Sequence, residues 1–169
     1  MRNTLYVLFI CLLAVSCKQK TQNTADDKNK INTLLNDWHN AAAKADYNNY
    51  FKHFADNATF IGTDATEHWD KKSFMTWSKP FFDRGKAWNF TSLERHLYFD
   101  ATGNTAWFDE LLNTQMKICR GSGVVTKKDN EWKIEQYVLS MTIPNDLVDT
   151  IVPIKTPLED SLINKLMKK

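Results

Sequence analysis

The sequence predicts an α+β domain: a curved antiparallel sheet of four long strands plus short strands, wrapped with three N-terminal helices into a cone-shaped barrel. Three observations carry that expectation. Helical periodicity is confined to the first half of the chain, the apolar period changes to two near residue 88, and four late apolar-rich stretches are joined by very short connections. Strands this long twist and coil, and a coiled sheet closed by helices leaves a cavity at its open end.

The elements follow in order. Ile31, Leu34, Leu35, Trp38, Ala42 and Ala45 recur at helical spacing, so residues 28–46 read as an amphipathic helix. A shorter helix places Tyr50, Phe51 and Phe54 on one side and ends before Asp56. Residues 59–62 form a short strand, 63–66 a turn and 67–69 a second short strand. Asp70 caps a third helix through Phe74, Trp77 and Phe81 to about Arg84, where Gly85 stops it. Residues 88–100, 104–113, 116–128 and 131–143 are the long strands, rich in aromatic and branched side chains. Gly121 and Gly123 ease bending in the third. Pro144 ends the sheet. A short helix runs through Val152, Pro153 and Pro157 break it, and Leu158, Leu162, Ile163 and Leu166 mark a final amphipathic piece.

The N-terminus speaks to location. Arg2 precedes an unbroken apolar run over residues 5–15, and Ser16 leads into Cys17. This is the layout of a secretory signal, too short to serve as a stable membrane span. The small residue before a cysteine resembles a bacterial lipobox, in which the cysteine is lipidated and becomes the first mature residue. The expected organisation is a signal peptide over 1–16, a polar tether over 17–27, a domain over 28–152 and a tail over 153–169. The absence of Asp after Cys17 favours the periplasmic face of the outer membrane. Cys11 leaves with the signal, so the body keeps one thiol, Cys119, and no internal disulfide. Twenty-two basic residues against 20 acidic ones, the basic ones scattered, make nucleic acid an unexpected partner. Six Trp and ten Phe are the compositional excess, suited equally to a core, a pocket wall or an interface.

Three stretches are similar to a known family. Phe60-Ile61-Gly62-Thr63-Asp64-Ala65-Thr66-Glu67, Ala106-Trp107-Phe108-Asp109-Glu110, and Arg120-Gly121-Ser122-Gly123-Val124 through Trp132-Lys133-Ile134 resemble the SnoaL-like branch of the nuclear transport factor 2 (NTF2-like) superfamily. The run over residues 140–146 is similar to a subgroup of small proteins from Bacteroidetes-type bacteria. The resemblance spans about residues 28–152 and implies the cone fold. It does not imply one activity, because the superfamily holds isomerases, cyclases, dehydratases, binding proteins and interaction modules.

Chemistry is expected on the sheet. Ala106, Phe108 and Glu110 share one strand face, and Trp107, Asp109 and Leu111 the other. A hairpin about residues 113–115 sets Glu110 near Ile118 and diagonally near Arg120, giving a charge pair inside an aromatic cup. Gln136 joins them, or Tyr137 does if the last hairpin slips by one residue. Trp38, Tyr50, Phe54, Phe60, Trp69, Phe81 and Phe108 are the expected lining. A carboxylate in an apolar cup has a raised pKa, which suits it as a general base. The candidates are Glu110 and Asp109, with Tyr137 or Arg120 as oxyanion donor; the bland alternative is a structural salt bridge. His39 reads as a solvated or core histidine. His53 and Asp56 are too few ligands for a metal, and neither metal nor cofactor is expected. The leading expectation is a binding module for a small, largely apolar or carbonyl-bearing ligand. The alternatives are an isomerase- or dehydratase-type enzyme, and a non-catalytic module forming a homodimer through the convex sheet face at Trp107 and Leu111.

Overall fold

A computed structural model describes residues 24–168. The expected signal peptide and the expected lipidation site, Cys17, lie outside the described residues. Helix α1 (Thr24–Ala43) buries Ile31, Leu35, Trp38, His39 and Ala42 along one stripe. It begins inside the stretch expected to be tether. Asp27 is buried there, accepting from Lys127 Nζ (2.7 Å) and Trp132 Nε1 (3.1 Å), which ties the start of α1 to the sheet.

Helix α2 (Tyr47–Lys52) is capped by Asp46, whose carboxylate accepts from the Asn49 amide. The chain then enters β1 (Phe54–Ile61), longer than expected, so Phe54 reaches the core from a strand and not from a helix. Strand β2 (His68–Asp70) pairs back on β1. Asp70 caps α3 (Lys71–Asp83) through the Ser73 amide, and Gly85 follows with φ +69°.

The long strands are β3 (Phe90–Phe99), β4 (Thr105–Thr114), β5 (Lys117–Lys128) and β6 (Glu131–Met141). With β1 and β2 they build one curved, unclosed six-stranded sheet in the order β2-β1-β6-β5-β4-β3. Every pairing is antiparallel except β1 with β6, which is parallel. Helices α1, α2 and α3 cover the concave face, where the core lies. Trp38 is central to it, stacked on Tyr50 at 5.3 Å and edge-on to Phe54 and Tyr137 at 5.4 and 4.6 Å.

The prolines do not break the C-terminal helix. After a 3-10 turn (Asn145–Leu147), α4 (Val148–Met167) is continuous through Pro153 and Pro157. Spaced four apart, both prolines lie on one side, so the hydrogen bonds they remove fall on one side of the helix.

Candidate functional site

Two irregularities decide what faces the interior. In β3 the pairing with β4 slips between Ser92 and Glu94, so the inward parity set by Phe90 is reversed farther along the strand. Arg95 therefore comes opposite Glu110, on the face shared with Leu97 and Phe108. In β6 the register slips between Val124 and Val125 of its partner, where Val124 pairs Gln136 and Val125 pairs Ile134. Glu135 is the extra residue. Trp132 and Ile134 point inward before it, Tyr137 and Leu139 after it.

Both shifts converge on one carboxylate. Glu110 is wholly buried, and its Oε1 accepts from the Tyr137 hydroxyl (2.9 Å) and lies 2.8 Å from His39 Nε2. Its Oε2 accepts from Arg95 Nε (2.9 Å) and Nη2 (2.7 Å). An ionised carboxylate only accepts, so the contact with His39 places a proton on Nε2. Arg95 is anchored in turn by Asn36 Oδ1 (3.0 Å) and Asn32 Oδ1 (3.2 Å) on α1. The network joins helix to sheet through four residues and occupies all four acceptor positions of Glu110.

The electrostatics reverse the expected shift. Burial alone would raise the Glu110 pKa. The hydrogen bond and electrostatic pull of His39, then those of Arg95, outweigh it and hold the carboxyl at about 2. Glu110 is thus ionised at neutral pH, its carboxyl shifted opposite to the rise expected for a buried general base. Tyr137 moves the other way: burial first, then the neighbouring Glu110 charge, lift its hydroxyl well above the usual range.

The remaining candidates separate into three groups. Trp38, Tyr50, Phe54, Phe60 and Phe108 lie in the interior with Glu110 and Tyr137. Trp69 and Phe81 are half-buried at its edge, each against Trp77. Arg120 and Gln136 are exposed on the other face and line no cup. For Gln136 the cause is the Glu135 bulge. For Arg120 it is the β4–β5 turn, which pairs Thr114 with Lys117 and so sets Glu110 opposite Gly121, not Ile118. A three-residue displacement is odd, and odd displacements change face. Asp109 lies on the convex face, 3.2 Å from His96 Nδ1, where it cannot act in the interior.

Sequence reasoning missed Arg95 and undervalued His39. Spacing offered a signal for His39, one turn from Leu35 on the buried stripe of α1. None was visible for Arg95, whose face depends on the bulge.

Polar groups without partners complete the interior. Among the described residues, Trp38 Nε1, the Tyr50 hydroxyl and His53 Nε2 are buried with no hydrogen bond to protein atoms. Burial lifts the Tyr50 hydroxyl well above its usual range, against a smaller pull from the indoles of Trp88 and Trp38. Burial likewise lowers His53 to about 4 and keeps it neutral. A buried donor left unmade costs about 1–3 kcal/mol. Two of the three, on Trp38 and Tyr50, belong to rings stacked against each other.

Residues 31–144, more than half of the chain, match the family profile of the SnoaL-like domain. No curated protein matches the chain. Several solved structures share its fold. An NTF2-like protein of unknown function from Pseudomonas putida is 11% identical, with a TM-score of 0.61 over 72% of this chain and 91% of that one. A protein from Streptomyces avermitilis, provisionally described as a dehydratase from the NTF2-like family, is 11% identical, with a TM-score of 0.61 over 71% of this chain and 99% of that one. A domain of unknown function with a cystatin-like fold from Nostoc punctiforme is 17% identical, with a TM-score of 0.62 over 88% of this chain and all of that one. Likeness at these identities concerns fold alone.

Proposed function

We propose a function from one premise: the chain belongs to the SnoaL-like domain family. Its interior takes up a small, largely apolar molecule that carries an acceptor oxygen, and the protein does so anchored to the cell envelope. The observation that supports the ligand is the pair of buried donors Trp38 Nε1 and the Tyr50 hydroxyl, which lie near each other and near the Trp88 indole but make no well-formed hydrogen bond, within a wall of aromatic rings. An arriving carbonyl, ether or hydroxyl oxygen satisfies them, while the rings cover its carbon skeleton. Glu110 stays ionised behind Tyr137 and holds the wall in place.

Mass spectrometry of protein purified natively identifies the passenger, and Tyr50→Phe tests the contact. Removing an unpartnered hydroxyl is neutral or stabilising for the ligand-free protein, so its Tm should stay level or rise, while affinity for the passenger falls about tenfold. A Tm several degrees lower, with affinity unchanged, would mean that the hydroxyl serves the fold and not a ligand.

A second reading, an isomerase- or dehydratase-type enzyme, is favoured by the Glu110–His39 contact. A carboxylate that orients an imidazole is a recurring means of preparing a proton carrier. In this reading His39 moves the proton, Glu110 positions it, and neither Asp109 nor Arg120 takes part.

The lipobox-like run before Cys17 supports anchoring through an acyl group on that residue, with the domain facing the periplasm from the outer membrane. The exposed, stacked pair Tyr98 and Trp107 on the convex face, 6.0 Å between ring centroids, is the rival to the C-terminal helix α4 as a surface for self-association.

A further inference from the structure

We propose that α4 is a self-association helix, in which two copies of this chain pair their C-terminal helices antiparallel about Leu158. The starting observation is a helix of 20 residues with no buried residue. Leu158 is 79% exposed, Ile154 67% and Met167 80%. A helix with an apolar stripe along its whole length belongs under cover on that side. Pro153 and Pro157 each remove a backbone hydrogen bond, and a lone helix of this length is marginal in water without them. Burial against another surface supplies what its own backbone lacks.

Sequence order along the helix selects the occupant. Ile151, Ile154, Leu158, Leu162 and Leu166 form one stripe at spacings of three and four. Lys155 and Glu159 flank it on the same side, bonded within the chain at 2.8 Å, and they straddle Leu158. A two-fold axis through Leu158 carries each Lys155 beside the other copy's Glu159, and sets Ile154 against Leu162. Lys165, seven residues after Leu158 and so on the stripe itself, then faces Ile151. Parallel pairing would instead put Lys165 against Lys165. A bilayer is a poorer occupant, because the face of α4 opposite the stripe carries Asp149 and Asp160, where a membrane-surface helix carries Lys or Arg. Exposed Met141, Ile143 and Leu147 extend the surface from the end of β6 into α4.

The test is chemical crosslinking in intact cells with copper phenanthroline as oxidant. Leu158→Cys, at the axis, should give a disulfide-linked dimer; Ile151→Cys, which meets residue 165 of the other copy, should not. Equal crosslinking of both would show parallel helices, and none from Leu158→Cys would show no pairing; either overturns the proposal. Sedimentation of the unacylated Cys17→Ser chain provides the second arm. Leu158→Glu should convert dimer to monomer with Tm unchanged, while Trp107→Ser leaves the dimer intact. A dimer lost only on Trp107→Ser, or a monomer that floats with phosphatidylglycerol vesicles, would assign the contact to the sheet or the helix to a membrane.

Discussion

Glu110 concentrates the electrostatics of the interior, and its carboxyl sits at about 2 against an ordinary value of 4.5. A depressed carboxyl contributes stability that is fully present above the unfolded value and drains away as pH falls toward the folded one. Glu110→Gln should therefore cost about 3 kcal/mol at neutral pH, because Arg95 is left as a buried cation without its counter-charge. In a protein of this size that corresponds to a Tm lower by roughly 10 °C. The difference between wild type and variant should hold steady above about pH 5 and shrink between 4.5 and 2 in acid melts. A variant with unchanged Tm, or a gap insensitive to acid, would contradict the network. Of its four members, Glu110 and Tyr137 were candidates from strand parity and hairpin register alone. His39 lies on a legible helical stripe and fits the reading of a core histidine, but its pairing with Glu110 is one only the sheet supplies. Arg95 was invisible because no local pattern announces a bulge at Ser92–Glu94.

Strands β5 and β6 are where backbone detail shapes the site. Gly121 stands opposite Glu110, and a Cβ there would lie 2.1 Å from the Tyr137 hydroxyl and 3.1 Å from Glu110 Cγ. The missing side chain is the space through which Tyr137 reaches the carboxylate. Gly121→Ala should destabilise by about 1–3 kcal/mol through overpacking. It should also be non-additive with Tyr137→Phe, since deleting the hydroxyl removes the bond and the closest clash, although the ring Cζ still lies 2.7 Å from the added Cβ. Strict additivity of the two in denaturant titrations would show that the contact is not what constrains the position. The strands themselves were legible to within a few residues, as periodicity and the Asp129-Asn130 turn suggest; both turn residues take positive φ, as a tight hairpin needs. Less legible was α4. A rule about single prolines does not anticipate two on one side of a helix with no packed face.

At the level of the whole molecule, the proposed anchor and the fold are separable. Among the described residues no helix is long and apolar enough to cross a membrane. If acylation at Cys17 is the attachment, Cys17→Ser should move the protein from the membrane fraction to the soluble periplasmic fraction, with the fold unchanged by circular dichroism. Continued sedimentation with membranes would end that reading.

What the amino-acid order determined by itself was the class of fold and its family, because apolar period, caps and turn residues are local quantities and here they all agree. Which side chains meet inside was decided only by tertiary structure. Bulges in β3 and β6 and a two-residue turn between β4 and β5 each displace the register by an odd count, and an odd displacement exchanges the faces of a strand. That exchange put Arg95 and Tyr137 around Glu110 and turned Arg120 and Gln136 out to water.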